Sequence, residues 1–474
     1  MKIRGNFLNL FVIISSFLSM LITFYNMNNI KNGYDFVVLF PCVFLIVFFV
    51  TIGKININKS AIPCTTYVFL ILQWIRYILT PTMIAISGEN CGTFFLNPNA
   101  SSIYLATIIA IFDLTITFFA LYYFAKKRKI IENTRKVLFR GNKYFYSIYI
   151  FFAILVYMYV EKDVNIFNFL FISTDTVERL GDITDTNILI ARQIVLGAIV
   201  IIFLWSADFC ANKYNLTKRK LYVYLSIMMA LINVSIIVGE RRSVQLYAAF
   251  SSIFILCKLY PKLKRHFFFI VGGTTIVILF FTSVYKFSSA FLYGSYMDAL
   301  ENTSFDFSWI TRMLQSYFGG PQDFATVIDF AQKNNINMMN LLFDFLRSIV
   351  PISFFVKGMG TLTSQMFNSY IYSGSQETGH IISSVAYGYI YFGILFSSLF
   401  SVFNIAVSYY MEIKMNMSNS YEMMYLWGYV LMRFAFGMFM NTPALLSTTT
   451  IMLVTFGLIF KVASILKINI NKKN

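Results

Sequence analysis

The sequence predicts an all-α fold, a polytopic transmembrane helical bundle of about twelve helices with a large external loop that contains short amphipathic helices. Three observations predict it. Hydrophobic residues make up 58% of the 474 residues and charged residues only 12%, too little charge to cover the surface of a soluble chain of this length. Runs of about 20 apolar residues recur from end to end, the length that crosses a hydrocarbon core of about 30 Å. The basic residues behind the formal net charge of +17 gather in a few short connections, as loops on the cytoplasmic side of a membrane do.

The first apolar run, 7–25, follows Lys2 and Arg4 as a signal peptide would. It has no small-residue cleavage site and is long enough to span, so it is expected to be the first helix. Further spans are expected at 36–52, 62–86, 103–124, 144–160, 188–207, 221–238, 244–260, 267–284, 381–410, 423–440 and 444–463. The basic segment from Lys126-Lys127-Arg128-Lys129 through Arg135, Lys136, Arg140 and Lys143 fixes the orientation as cytoplasmic. Alternating outward from it puts Lys213–Lys220, Pro261–His266 and the Lys467–Lys473 tail on the same side, with both termini cytoplasmic. Most acidic residues then fall outside. The basic excess is a topology signal that suits anionic lipid headgroups, and it excludes a nucleic-acid-binding role, which needs a basic face on a soluble domain.

Residues 1–474 form one integral membrane domain in this scheme, with 285–380 as a large external loop and smaller external loops at 87–102 and 161–187. A loop of that length is usually functional or partly structured. Met338–Val356 is apolar, but Asp344, Arg347 and Pro351 interrupt it. Counting it as a span would carry the Lys-rich tail outside, so it is expected to be amphipathic or re-entrant. Leu341, Leu342, Phe345, Leu346 and Ile349 would face lipid or protein, with Asp344 and Arg347 facing the other way.

Cys42, Cys64, Cys91, Cys210 and Cys257 are scattered, without a CxxC pair or a nearby histidine, so neither a metal site nor a disulfide framework is indicated. No Walker-A loop, HExxH or GxSxG is present, and no Asp-x-Asp occurs in the first external loop, which leaves ATP-driven transport, zinc hydrolysis and the usual metal-dependent sugar transfer unsupported.

Three features carry potential chemistry. Gly239-Glu240-Arg241-Arg242-Ser243 is a tight external hairpin, and two arginines there oppose the positive-inside rule. Either Glu240 and lipid phosphates offset them, or they hold a phosphorylated ligand, which a guanidinium fork matches. Arg347 is followed eleven positions later by Gly358, near a turn that lets backbone approach a ligand; the plainer alternative is an Asp344–Arg347 pair on a helix surface. His380 stands at the external mouth of a span, after Glu377-Thr378-Gly379, with Ser384, Tyr387 and Tyr391 continuing down one face. It is either an interfacial histidine above an aromatic belt or a general base. Within the spans, Arg192 lies near the outer end of its helix, Arg76 and Asp113 are expected to pair between neighbouring helices, and Arg433 is mid-span.

With these residues in view, the chain resembles the O-antigen and oligosaccharide repeat-unit polymerases (Wzy-type), and more distantly the O-antigen ligases. The resemblance rests on the Gly239–Ser243 hairpin, the Ser316-Tyr317-Phe318-Gly319-Gly320-Pro321 turn and the Arg347-to-Gly358 spacing. The stretch from Gly379-His380 through Ala386-Tyr387-Gly388-Tyr389 and Tyr391-Phe392-Gly393 belongs to it too. It implies a metal-independent glycosyltransferase of the bacterial cytoplasmic (inner) membrane that uses no cofactor and inverts the anomeric carbon. Its partners would be undecaprenyl-pyrophosphate-linked oligosaccharide, membrane lipids, a chain-length regulator and a flippase. The resemblance assigns pyrophosphate binding to Arg241, Arg242 and Arg347, and Arg192 is placed to join them. Gly319, Gly320 and Gly358 would shape turns, and the base would be His380 or the equally placed Glu377. The rivals are a lipid-linked oligosaccharide flippase or other polysaccharide transporter, and a membrane-bound acyltransferase acting on surface sugars.

Overall fold

The structure, a computed structural model, describes residues 5–57, 62–89, 97–127, 137–160, 168–169, 186–237, 242–287, 304–356, 358–372 and 381–473. In chain order the principal helices are α1 (Gly5–Tyr25), α2 (Leu39–Phe48), α3 (Cys64–Trp74), α4 (Thr80–Ser87), α5 (Ala100–Lys127), α6 (Lys143–Val160), α7 (Thr186–Thr217), α8 (Leu221–Ser235) and α9 (Arg242–Leu259). There follow α10 (Gly273–Phe287), α11 (Phe307–Phe318), α12 (Pro321–Lys333), α13 (Met338–Ser348), α14 (Thr363–Ile371), α15 (Ser384–Phe396), α16 (Leu399–Met417), α17 (Tyr421–Ala435) and α18 (Thr442–Lys473). Extended structure among the described residues amounts to an antiparallel pair of two-residue strands, β1 (Asn168–Phe169) and β2 (Ile236–Ile237), and one bridge between Leu138 and Ser420.

Eight stretches among the described residues are helical, long and apolar enough to cross a membrane: Phe7–Tyr25, Asp35–Gly53, Cys64–Ser87, Ala100–Lys127, Lys143–Val160, Ile190–Thr217, Pro261–Phe280 and Thr442–Lys467. Each coincides with an expected span. The other four expected spans take different forms. The 221–238 run is the shorter α8, which passes straight into β2, and 244–260 is the short apolar part of α9. The 423–440 run is α17 followed by a 3-10 turn at Phe436–Phe439.

The expected continuous span 381–410 is broken. α15 and α16 meet at 111°, and Gly393 inside α15 has φ +66, which ends regular helix there. Gly388 makes the reversal possible, because a Cβ at that position would collide with the Ser397 carbonyl. Apolar character over thirty residues therefore did not distinguish one span from two helices that turn on each other.

Contacts divide the chain into two compact units. One comprises Met1–Ile130, Ser304–Tyr410 and Phe434–Thr448; the other Ile131–Thr303, Met411–Arg433 and Thr449–Asn474. In the second unit Glu422, in the first turn of α17, accepts the backbone N–H groups of Arg140 (2.9 Å) and Gly141 (2.7 Å). Asn142 N–H bonds the Ala463 carbonyl at 3.0 Å, and Asn233 donates to the Tyr425 hydroxyl at 2.9 Å. The bonds of Arg140, Gly141 and Asn142 tie the residues just before α6 to α17 and α18, and that of Asn233 ties α8 to α17.

The first unit holds a large aromatic and aliphatic core, with Phe44, Phe69, Phe118, Phe324 and Tyr387 fully buried. Its distinctive element is a helical hairpin, α11 and α12, within the loop expected to be external. α11 runs down α4: Thr311 Oγ1 donates to the Met83 carbonyl (3.1 Å) and meets Ser87 Oγ (2.9 Å). α12 returns along α5, where Asp329 accepts from the backbone of Asn99 (3.1 Å) and from the Ser102 hydroxyl. The turn between them, Gly319-Gly320-Pro321, lies beside Arg76, near the middle of the Cys64–Ser87 stretch. From Ser87 to Arg76 is about 16 Å of helix at 1.5 Å per residue. The hairpin thus re-enters the bundle to roughly half its depth.

Candidate functional site

The re-entrant tip is built by glycine. Gly319 closes α11 with φ +58, a conformation that costs an L side chain about 1–2 kcal/mol. Gly320 then donates its N–H to the Gln315 carbonyl at 3.0 Å and caps α12, whose first residue is Pro321. This turn presents the Gly319 carbonyl to Arg76, whose Nε donates to it at 3.2 Å. Arg76 itself sits in a π-helical segment, Ile75–Leu79, between α3 and α4. Such widened turns concentrate at functional sites because they re-aim one side chain.

Around Arg76 lies a buried polar cluster. Asp113, from the middle of α5, has its Oδ2 3.9 Å from Arg76 Nη1, and both side chains are almost fully enclosed. This bears out the pairing expected from the sequence. The hydroxyls of Ser398 and Ser401, at the break before α16, face the Asp113 carboxylate. Ser401 also meets Ser384 at 3.0 Å, and Ser384 lies 3.2 Å from the Met438 carbonyl. A further carboxylate, Asp323 in the first turn of α12, is close enough for the Arg76 charge to act on it. Asp323 was not singled out in the sequence, although it lies two residues beyond the Gly319-Gly320-Pro321 turn that was.

A separate network surrounds Arg347. α13 begins with a reciprocal cap between Asn337 and Asn340. Asp344 is buried, not displayed on the helix surface. Its Oδ1 accepts the Thr363 backbone N–H (3.1 Å) and its Oδ2 accepts the Tyr387 hydroxyl (2.7 Å). Leu341 and Phe345 pack against the core on the same face as Asp344. The expectation that Asp344 faces away from them is therefore corrected: positions 341, 344, 345 and 348 share one side of a helix. Tyr391 bonds the Thr363 hydroxyl and packs edge-on against Tyr387 at 5.1 Å. Of the Ser384–Tyr387–Tyr391 stripe, Tyr387 and Tyr391 clasp α13 and α14, while Ser384 meets Ser401 and the Met438 carbonyl. Arg347 does not bond Asp344; its Nη1 donates to the Gly360 carbonyl at 3.0 Å. Gly360 has φ +64, and Gly358 has open space around it.

Of the predicted site residues, Arg347, Gly319, Gly320 and Gly358 fall in the first unit. Arg192 is buried in α7 of the second unit. Arg242 opens α9, just beyond β2, which pairs with β1. Arg241, Glu377 and His380 lie outside the described residues, as does the side chain of Arg242. Arg433 is buried in α17. Among the described residues no group of three or more His, Cys, Asp or Glu side chains is arranged to hold a metal ion. Neither a family model, nor a curated protein, nor a solved structure matches this chain.

Proposed function

We propose that this protein is a polymerase of lipid-linked oligosaccharide repeats, acting at the outer face of the bacterial cytoplasmic membrane. It transfers a glycan from undecaprenyl pyrophosphate onto the next lipid-linked repeat to build O-antigen, capsule or exopolysaccharide. The observation that carries this reading is Arg347. It stands on a helix apart from the membrane-crossing stretches, held by a backbone carbonyl, and among the described residues it bonds no carboxylate, although its charge acts on Asp344 one turn away. One of its five N–H donors is engaged by Gly360, which leaves the fork to match phosphate oxygens.

In the reaction, an acceptor sugar hydroxyl attacks the anomeric carbon of the donor glycan. The new C–O bond forms as the bond to the lipid pyrophosphate breaks, and the electron pair leaves with the pyrophosphate. Arg347 would stabilise that growing charge. The hydroxyl proton passes to His380 or Glu377. Replacing Arg347, Arg241, Arg242 or His380 with Ala is expected to leave the protein inserted while surface glycan stays as single repeats. Normal long chains from all four variants would sink the assignment.

The second reading is a lipid-linked oligosaccharide flippase or other transporter. It is favoured by a re-entrant hairpin and a broken helix that meet at a buried Arg–Asp pair, the kind of discontinuity transporters place at their binding sites. Purified protein in vesicles separates the two. Extension of a defined lipid-linked repeat supports the polymerase, and movement of that lipid between leaflets without extension supports the transporter.

A further inference from the structure

The Arg347 guanidinium is held by a different glycine from the one its spacing pointed to. Arg347 Nη1 donates to the Gly360 carbonyl at 3.0 Å. Gly358 has open space around it, so a side chain there would meet nothing. Gly360 differs on two counts. Its φ of +64 lies in the left-handed region, which L side chains rarely adopt. A Cβ at this position would also stand 2.7 Å from Cδ2 and 3.1 Å from Cε2 of the Phe343 ring, closer than carbon atoms pack.

The turn around Gly360 is tied to α13 at three places. Phe343 lies four residues before Arg347, hence on the same side of the helix, and its ring rests against Gly360. Further along, Thr363 donates its backbone N–H to Asp344 Oδ1 at 3.1 Å, and Tyr387 holds Oδ2 of the same carboxylate at 2.7 Å. Phe345 stacks on Phe400 with ring centroids 5.8 Å apart, which seats α13 on the core. The carbonyl that receives Arg347 is therefore fixed to the helix that carries Arg347. A bond through Nη1 leaves the Nε–Nη2 edge of the guanidinium, which can pair with two oxygens of one phosphate. Among the described residues that edge makes no hydrogen bond.

We propose that Gly360 is a positioning residue for the phosphate-binding arginine: its carbonyl fixes the Arg347 guanidinium through Nη1, so that the Nε–Nη2 edge meets a pyrophosphate in one geometry. The inference rests on the reading of Arg347 as a pyrophosphate ligand. An arginine side chain free to rotate has to be ordered at each binding event, and one already held loses less on binding. The carbonyl reaches Nη1 only while the backbone at 360 keeps its positive φ and stays close against Phe343, and glycine satisfies both conditions. Gly360 acts through Arg347 and touches no substrate itself.

Two measurements on the full-length protein in lipid nanodiscs test the assignment: extension of a defined undecaprenyl-pyrophosphate-linked repeat, and calorimetric binding of inorganic pyrophosphate. Gly360→Ala is expected to lose about 10²-fold in turnover, the scale of a misplacement of about 1 Å, and to bind pyrophosphate more weakly. Gly358→Ala should lose far less. In an Arg347→Ala background Gly360→Ala should add nothing, because the group it positions is gone. Asparagine tolerates positive φ, and Phe343→Ala removes the ring that a Cβ would meet. Gly360→Asn with Phe343→Ala should therefore recover most of the turnover, and this pair carries the test if Gly360→Ala does not insert. Normal extension by Gly360→Ala beside a loss in Arg347→Ala would overturn the positioning role and leave the polymerase reading standing. Additive losses from the two, an equal loss in Gly358→Ala, or no recovery in the paired variant would overturn it as well. If the wild type extends nothing, the polymerase reading falls by itself. Pyrophosphate binding then decides: weakening in Arg347→Ala and Gly360→Ala supports the positioning role, and equal or absent binding in all variants ends it.

Discussion

Asp344 and Asp113 are both enclosed aspartates of the same unit, each within reach of an arginine, and they are held in opposite ways. Asp344 has a backbone N–H on one oxygen and a tyrosine hydroxyl on the other, while Arg347 turns away to a carbonyl. Burial still pushes the Asp344 carboxyl up, against the pull of Thr363, Tyr387 and Arg347. Asp113 has a guanidinium at 3.9 Å and the hydroxyls of Ser398 and Ser401 facing it, with no hydrogen bond of ordinary geometry on either oxygen among the described residues. A carboxylate with its acceptor sites filled fixes three elements to one another and has little left to give. One with its sites unfilled is poorly spent on stability, since a loose buried ion pair seldom repays its desolvation. The difference separates a well-bonded structural clasp from a loosely paired polar centre.

The largest effect expected from this contrast is at the centre. Arg76→Met alone strands Asp113 and should destabilise by about 3–5 kcal/mol. Arg76→Met combined with Asp113→Leu and Asp323→Asn removes the three ions of the cluster, and should recover most of that loss. Thermal unfolding in detergent measures both. If the triple variant is as unstable as the single one, the centre is structural after all and the contrast with Asp344 collapses.

At the clasp the order should reverse. Asp344→Ala leaves the Thr363 N–H and the Tyr387 hydroxyl enclosed without an acceptor, a loss of about 2–4 kcal/mol. Tyr387→Phe removes one bond from a carboxylate that keeps the other, for about 1–2 kcal/mol. Adding Tyr387→Phe to Asp344→Ala should then cost little more, because the two residues share the bond. A full additive loss in that cycle would show that Tyr387 acts through its ring packing against Tyr391 and Phe400 instead of through Asp344.

How much of this was legible beforehand follows from the length scale of each signal. The eight long apolar helices were visible because hydrophobic length is a local property. The Arg76–Asp113 pair was visible for the same reason: ions inside apolar runs stand out. The break at Gly393 to Ser398 was hidden, since Ile394, Leu395 and Phe396 keep the run apolar while glycine geometry and the close approach of Ser397 to Gly388 end the span. The re-entrant course of α11 and α12 was hidden because it depends on scattered polar partners, such as Thr311 with Met83 and Asp329 with Asn99, far apart in sequence. Asp323 was missed as one acidic residue among many in a loop; its two-residue distance from the glycine turn was the available clue.

The smallest expected effect on stability falls on Arg347. Its single described hydrogen bond joins a half-buried side chain to the Gly360 carbonyl, and a bond of that kind contributes about 0.5–1.5 kcal/mol. Arg347→Ala should therefore lower the thermal midpoint only slightly, and Arg347→Lys less still. Lysine keeps the charge but lacks the planar fork, so it can hold the carbonyl or a phosphate without engaging both in fixed geometry. If Arg347 binds pyrophosphate, Arg347→Lys should lose glycan extension far out of proportion to its stability, with the loss concentrated in turnover. If Arg347 only anchors the Gly360 turn, activity in both variants should fall in step with the small change in stability, and Arg347 would join Asp344 on the structural side.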